Sequence, residues 1–204
     1  MDLDDPKYLL ALGTFIAEFA AVEVVLNSAV WHLAELRSKP QIARAVFEGA
    51  LRADRARQIL TRLVEAKKLK GPDFIELKII LDQLGEIGRA RNDIVHLGAA
   101  GFSGRLTVTN KLYAHTRTRI RTRTVGPRIL QTMIDDLSEI FVRLTIIADD
   151  MPPGYTRRGM RRDYPPLTTP PAWRYKSRVQ SPRPSKTRGA SKTPATPSAG
   201  RPLA

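Results

Sequence analysis

Arg91-Asn92-Asp93-Ile94-Val95-His96 gathers a guanidinium, a carboxamide and an imidazole within six residues. Leu77, Ile80, Leu84, Ile87, Ile94 and Val95 fall on one helical stripe at about 100° per residue, and Arg91 falls in the middle of it. A guanidinium keeps its proton at any physiological pH, so burying one without a partner is costly. Arg91 therefore pairs with a carboxylate, with Glu18 and Glu23 beside the first helix's apolar stripe as candidates, or it lines a cleft or interface that receives an anion. His96 can exchange protons near neutral pH, and an arginine presents a planar fork of donors to phosphate oxygens. The chemistry suggested is that of a phosphate ester. The competing reading of His96 is a helix-end histidine favoured by the macrodipole.

Asn92 lies four residues before His96 and shares its face, where it can orient the imidazole or bind a phosphate or ribose oxygen. Arg89, seven residues before His96, shares that face too and is a second candidate phosphate ligand. Arg91 and His96 point about 140° apart on a regular helix. Either the long arginine reaches around, or Arg91 of one subunit meets His96 of another. An arginine, a polar residue directly after it and a histidine five positions from the arginine resemble the signature of HEPN-domain ribonucleases, carried on a late helix of an all-helical bundle; the resemblance spans roughly residues 6–150. It implies metal-independent RNA cleavage at a homodimer interface, with the ribose 2′-hydroxyl as nucleophile and a 2′,3′-cyclic phosphate as product. Arg91 and His96 are then catalytic and Asn92 supports them. The resemblance also implies a toxin or phage-defence role with a neutralising antitoxin protein as partner. One branch of the family carries a tyrosine two residues after the histidine, which a partner nucleotidyltransferase adenylylates; Gly98 stands there in this chain.

The elements that must position these groups are legible as helices. Asp4 or Asp5 before Pro6 is a helix start, and the chain reads helically from there to about Arg37. Tyr8, Leu12, Phe15, Phe19, Val22, Leu26, Val30 and Leu33 form its main stripe, while Ala17, Ala20, Val24 and Trp31 form a second, with Asn27 beside it. A helix apolar on two sides has two partners, one of them a candidate second subunit. Shorter helices are expected over 41–48 and 53–67, ending in Lys67-Lys68-Leu69-Lys70-Gly71-Pro72. The motif helix begins near Pro72 or Asp73 and stops around Gly98, and a last helix spans about 127–150. Between them, over about 103–125, the period changes to two, predicting a β-hairpin. The fold class expected is mainly α: a HEPN-like bundle over 1–150 with that hairpin before the last helix, then a disordered basic Pro-rich tail over 151–204.

Of 34 Lys and Arg the segment 151–204 holds twelve, with one of the 20 Asp and Glu and eleven of the fifteen prolines. The body is therefore close to neutral and the high pI belongs to the tail. Such a composition cannot bury enough surface to offset chain entropy, leaving Trp173 and Tyr175 as the only anchors. Arg117, Arg119, Arg121 and Arg123 alternate with threonines and isoleucine, so they project from one strand face about 6.5–7 Å apart and can track an RNA backbone. The bland alternative is an edge strand blunted by charge. Arg157-Arg158 and Arg161-Arg162 would add salt-dependent affinity for nucleic acid or simply solubilise the chain.

There is no cysteine, and three scattered histidines give no metal-ligand spacing, so neither a metal site nor a cofactor is expected. Glu18, Glu23 and Asn27 interrupt the longest apolar stretches, and the start Met-Asp-Leu-Asp-Asp lacks the basic region of a signal peptide. A soluble cytoplasmic protein with no membrane association is the expectation. His32 and His115 read as surface or turn residues. Two functions compete: an endoribonuclease, and a non-catalytic nucleic-acid-binding or scaffolding module on the same fold.

Overall fold

In the computed structural model, which describes residues 5–47, 51–97, 100–102, 105–109 and 122–177, α1 spans Pro6–Leu33. Asp5 caps it, its carboxylate accepting from the Lys7 N–H at 2.9 Å, and Pro6 supplies the preset φ of a first turn. The main stripe is inward: Tyr8, Phe15, Phe19, Val22, Leu26, Val30 and Leu33 are buried. Short helices α2 (Pro40–Phe47) and α3 (Ala53–Ala66) follow, then α4 (Pro72–Leu97), three strands, and α5 (Pro127–Ile147). Buried Leu130, Met133, Leu137, Ile140, Leu144 and Ile147 of α5 pack along α1, and Leu77, Ile80, Leu84, Ile87 and Ile94 of α4 join the same core. Each such side chain contributes about 1.5–3 kcal/mol by leaving water. Val95, expected on that stripe, is 46 % exposed instead, which turns the end of α4 toward solvent.

The molecule is mainly helical. α1 is also long and apolar enough to cross a membrane by length and composition, with a mean hydropathy of 2.1 over its best window. The charges expected to interrupt it leave that window intact. Strands β1 (Ala100–Phe102), β2 (Arg105–Thr109) and β3 (Thr122–Thr124) form an antiparallel sheet in the order β1-β2-β3, with Gly101 opposite Leu106 and Val108 opposite Arg123. Most of the hairpin expected at 103–125 lies outside the described residues, Arg117, Arg119 and Arg121 included; of Arg123 the backbone alone is described.

Residues 151–177 depart from the expectation of a tail that begins at 151. They pack on the bundle, with helix α6 over Arg157–Asp163. Asp136, buried in α5, accepts from the backbone N–H of Arg174 and of Tyr175, each at 3.0 Å, and from Gln83 Nε2 at 2.8 Å. Gln83 Nε2 also donates to the Tyr175 carbonyl at 3.0 Å, and the Tyr175 ring is buried. At the segment's other end Glu76, wholly buried in α4, meets Arg143 of α5 at 2.5 Å and Arg161 of α6 at 2.7 Å. The second contact is off the angle of a hydrogen bond, so it is ionic. Asp73 takes both Arg157 and Arg161. Composition misled because two of the tail's basic residues neutralise carboxylates of the body, and fixed buried partners compensate for missing aliphatic area. Trp173 packs against the core, as the anchor role anticipates. Residues 178–204 lie outside the described residues.

Candidate functional site

The entry to α3 is built by α1. Asn27 Nδ2 donates to the Leu51 carbonyl at 2.9 Å, and its Oδ1 accepts from the Leu51 N–H at 2.8 Å. Glu23 Oε1 accepts from the Ala53 N–H at 2.9 Å, supplying the cap that Arg52 at the N-cap position does not. Across from this turn lies the second half of α4. Gly85 lets Arg57 of α3 cross the helix: its Nε donates to the Leu81 carbonyl at 2.8 Å, and a Cβ on Gly85 would stand 2.5 Å from Nη2. Gly88, one turn on, lies at the cleft that opens between α1, α3 and α4.

That cleft holds about 600 Å³, within the usual range of about 300–1,000 Å³ for small-ligand sites. Its α4 wall carries Arg91, Asn92, Val95 and His96; its α3 wall carries Arg52, Asp54, Arg55 and Gln58; Phe19 and Glu23 come from α1. The three residues of the sequence motif thus border one opening within a single chain, despite their angular separation on the helix.

Arg91 is half-buried, its guanidinium 5.6 Å from the centre of the Phe19 ring and its Nη1 donating to Asn92 Oδ1 at 3.2 Å. The Nε is buried and has no hydrogen-bond partner among the described residues. No carboxylate among the described residues pairs with Arg91: Glu23 lines the same cleft but accepts from Ala53, and Asp54 sits 3.4 Å from Arg57. The ion pair with Glu18 or Glu23 that the sequence offered is not formed there. A cation lying on an aromatic face with a donor unspent is suited to an incoming anion. His96 is exposed and has no hydrogen-bond partner among the described residues. Arg89 pairs with Glu86 one turn back on the exposed surface and does not border the cleft, so it is not brought to the site. No group of three or more candidate metal ligands comes together among the described residues.

Arg52, Arg55 and Gln58 were not singled out by sequence. Their signal was weak, since Arg-x2-Arg-x2-Gln reads as an ordinary solvated helix face. No family model, curated protein or solved structure matches this chain.

Proposed function

We propose that this chain is a metal-independent endoribonuclease on a HEPN-like helical bundle, with a β-hairpin before its last helix. The observation that carries the reading is Arg91, held on Phe19 with a buried Nε that has no partner among the described residues, at a cleft that Asn92 and His96 also border. In the reaction a ribose 2′-oxygen bonds to the adjacent phosphorus and the bond from phosphorus to the 5′-oxygen breaks. The 2′-hydroxyl proton passes to a base, and the leaving 5′-oxygen takes a proton from an acid, giving a 2′,3′-cyclic phosphate and a 5′-hydroxyl. Imidazole serves either role near neutral pH, while Arg91 offsets the charge that gathers on the phosphorane. Asn92 steadies the guanidinium through its Oδ1.

One cleft carries one His96, so a second copy of the chain supplies the other proton carrier and the working unit is a homodimer. Support comes from the outer side of α1, where Ala17 and Ala20 are exposed and Val24 is 71 % exposed. Ala20 and Val24, with Leu51 and with Trp31, whose Nε1 has no partner among the described residues, edge a groove of about 730 Å³ that shares Glu23 and Arg52 with the cleft. The arginine ladder 117–123 gathers RNA in this reading, and the cytoplasmic toxin or defence role with an antitoxin partner rests on the motif resemblance. A non-catalytic RNA-binding module is the second reading, favoured by a His96 that no described residue orients.

Purified protein incubated with single-stranded RNA in EDTA decides between them. Cleavage to cyclic-phosphate ends, lost in His96→Ala with the oligomeric state unchanged, establishes the enzyme. RNA bound equally by both proteins and left intact establishes the module.

A further inference from the structure

The α3 wall of the cleft faces the motif with two arginines, Arg52 and Arg55. Arg52 and Arg55 are exposed and form no ion pair among the described residues, unlike Arg57, Arg89, Arg143, Arg157 and Arg161. The backbone around Arg52 is nevertheless pinned on both sides: Asn27 clamps Leu51 with two hydrogen bonds and Glu23 holds the Ala53 N–H. Three hydrogen bonds with α1 thus fix the backbone that carries the exposed Arg52 side chain. Of the carboxylates in the same cleft, Glu23 accepts from the Ala53 N–H and Asp54 lies 3.4 Å from Arg57, and neither forms an ion pair with Arg52 or Arg55 among the described residues. Gln58, one turn past Asp54, adds an uncharged donor and acceptor to the same wall.

We infer that Arg52 and Arg55 bind the phosphate adjacent to the one being cut, so that single-stranded RNA crosses the cleft from the α4 wall to the α3 wall. This rests on the ribonuclease reading for which phosphate is scissile, but not for the binding itself. Arg52 and Arg55 are positioning residues: they hold a neighbouring phosphodiester and so fix the register of the strand against Arg91 and His96. The substrate class is then an oligonucleotide with at least two phosphodiesters, rather than a dinucleotide.

The test compares Arg52→Ala/Arg55→Ala with a control of equal charge change at exposed residues away from the cleft, Arg62→Ala/Arg128→Ala. All four arginines are exposed, so thermal melts of both variants should match that of the unaltered chain. By fluorescence anisotropy on a short single-stranded RNA, the cleft variant should bind about tenfold or more weakly and its salt slope should fall by roughly one, while the control stays within about twofold. In cleavage, KM for the oligonucleotide should rise about tenfold with kcat little changed, and the rate on a dinucleotide should be unaffected. Equal binding by the two variants overturns the inference, as does loss of dinucleotide cleavage in the cleft variant. Displacement of the RNA by low-millimolar inorganic phosphate also overturns it, since that marks a single-anion site. If the unaltered chain cuts nothing while the cleft variant still loses RNA affinity, the ribonuclease reading falls and the binding wall stands.

Discussion

Arg91 makes two contacts through its planar group: the face-on approach to Phe19 and the donation to Asn92. A lysine can approach the ring or donate to Asn92, but its compact point charge lacks the planar fork that serves the ring, Asn92 and a phosphate together. Arg91→Lys should therefore lower RNA cleavage by about 10²-fold, measured on a labelled oligonucleotide, while the melting temperature moves by a few degrees at most. Arg91→Met should keep the apolar contact with Phe19 and lose cleavage as fully, which separates packing from charge. His32 offers a different residue-scale test. Its burial, reinforced by Arg37 and Arg157 and opposed by Asp149, holds its pKa below the usual 6.5. The unfolded chain then binds the extra proton first, so the contribution of neutral His32 is full above 6.5 and is lost as pH falls toward the native pKa. Urea midpoints should decline over that window, and His32→Gln should flatten the decline.

At the scale of elements, the cleft depends on how α1 grips the start of α3. Glu23→Ala removes the cap from the Ala53 N–H, with an expected cost of about 1 kcal/mol and faster amide exchange in the first turn of α3. RNA affinity should fall with it, because Arg52 and Arg55 ride on that turn. Helices were legible from sequence where a stripe and a cap coincided, as at Asp5-Pro6 and at the Gly71-Pro72 break. Their ends were less so. α1 and α5 finish earlier than the reading to Arg37 and Asp150, because the left-handed residues that close them are Glu35 and Asp149, not glycines. Lys68 does the same after α3. The α4 half of the site was legible because Arg91 interrupts an apolar stripe. The α3 half was not, because nothing in a sequence says that a solvated arginine on the preceding helix faces the same opening.

For the whole molecule the boundary that matters lies nearer residue 177 than residue 150. A chain ending at Asp150 strands Glu76 and Arg143 without Arg161 and leaves Asp136 without the N–H groups of Arg174 and Tyr175. Removing one partner of a buried ion group costs about 3–5 kcal/mol, so that truncation should unfold at markedly lower urea concentration than the full chain. A chain truncated after Ser177 keeps these contacts and should unfold at a higher urea concentration than one ending at Asp150. Equal midpoints for the two shortened chains would show that the C-terminal segment merely rests on the bundle.

The wholly buried carboxylate of Glu76 also bears on synthesis. Both cations that neutralise it, Arg143 and Arg161, are made well after α4 itself, the second only when three-quarters of the chain has left the peptidyl-transferase centre. A nascent polypeptide therefore carries an unneutralised charge at the base of α4 until Arg143 and Arg161 have been made. Limited proteolysis of chains arrested at Asp150 and at Ala204 should find α4 readily cut in the first and protected in the second.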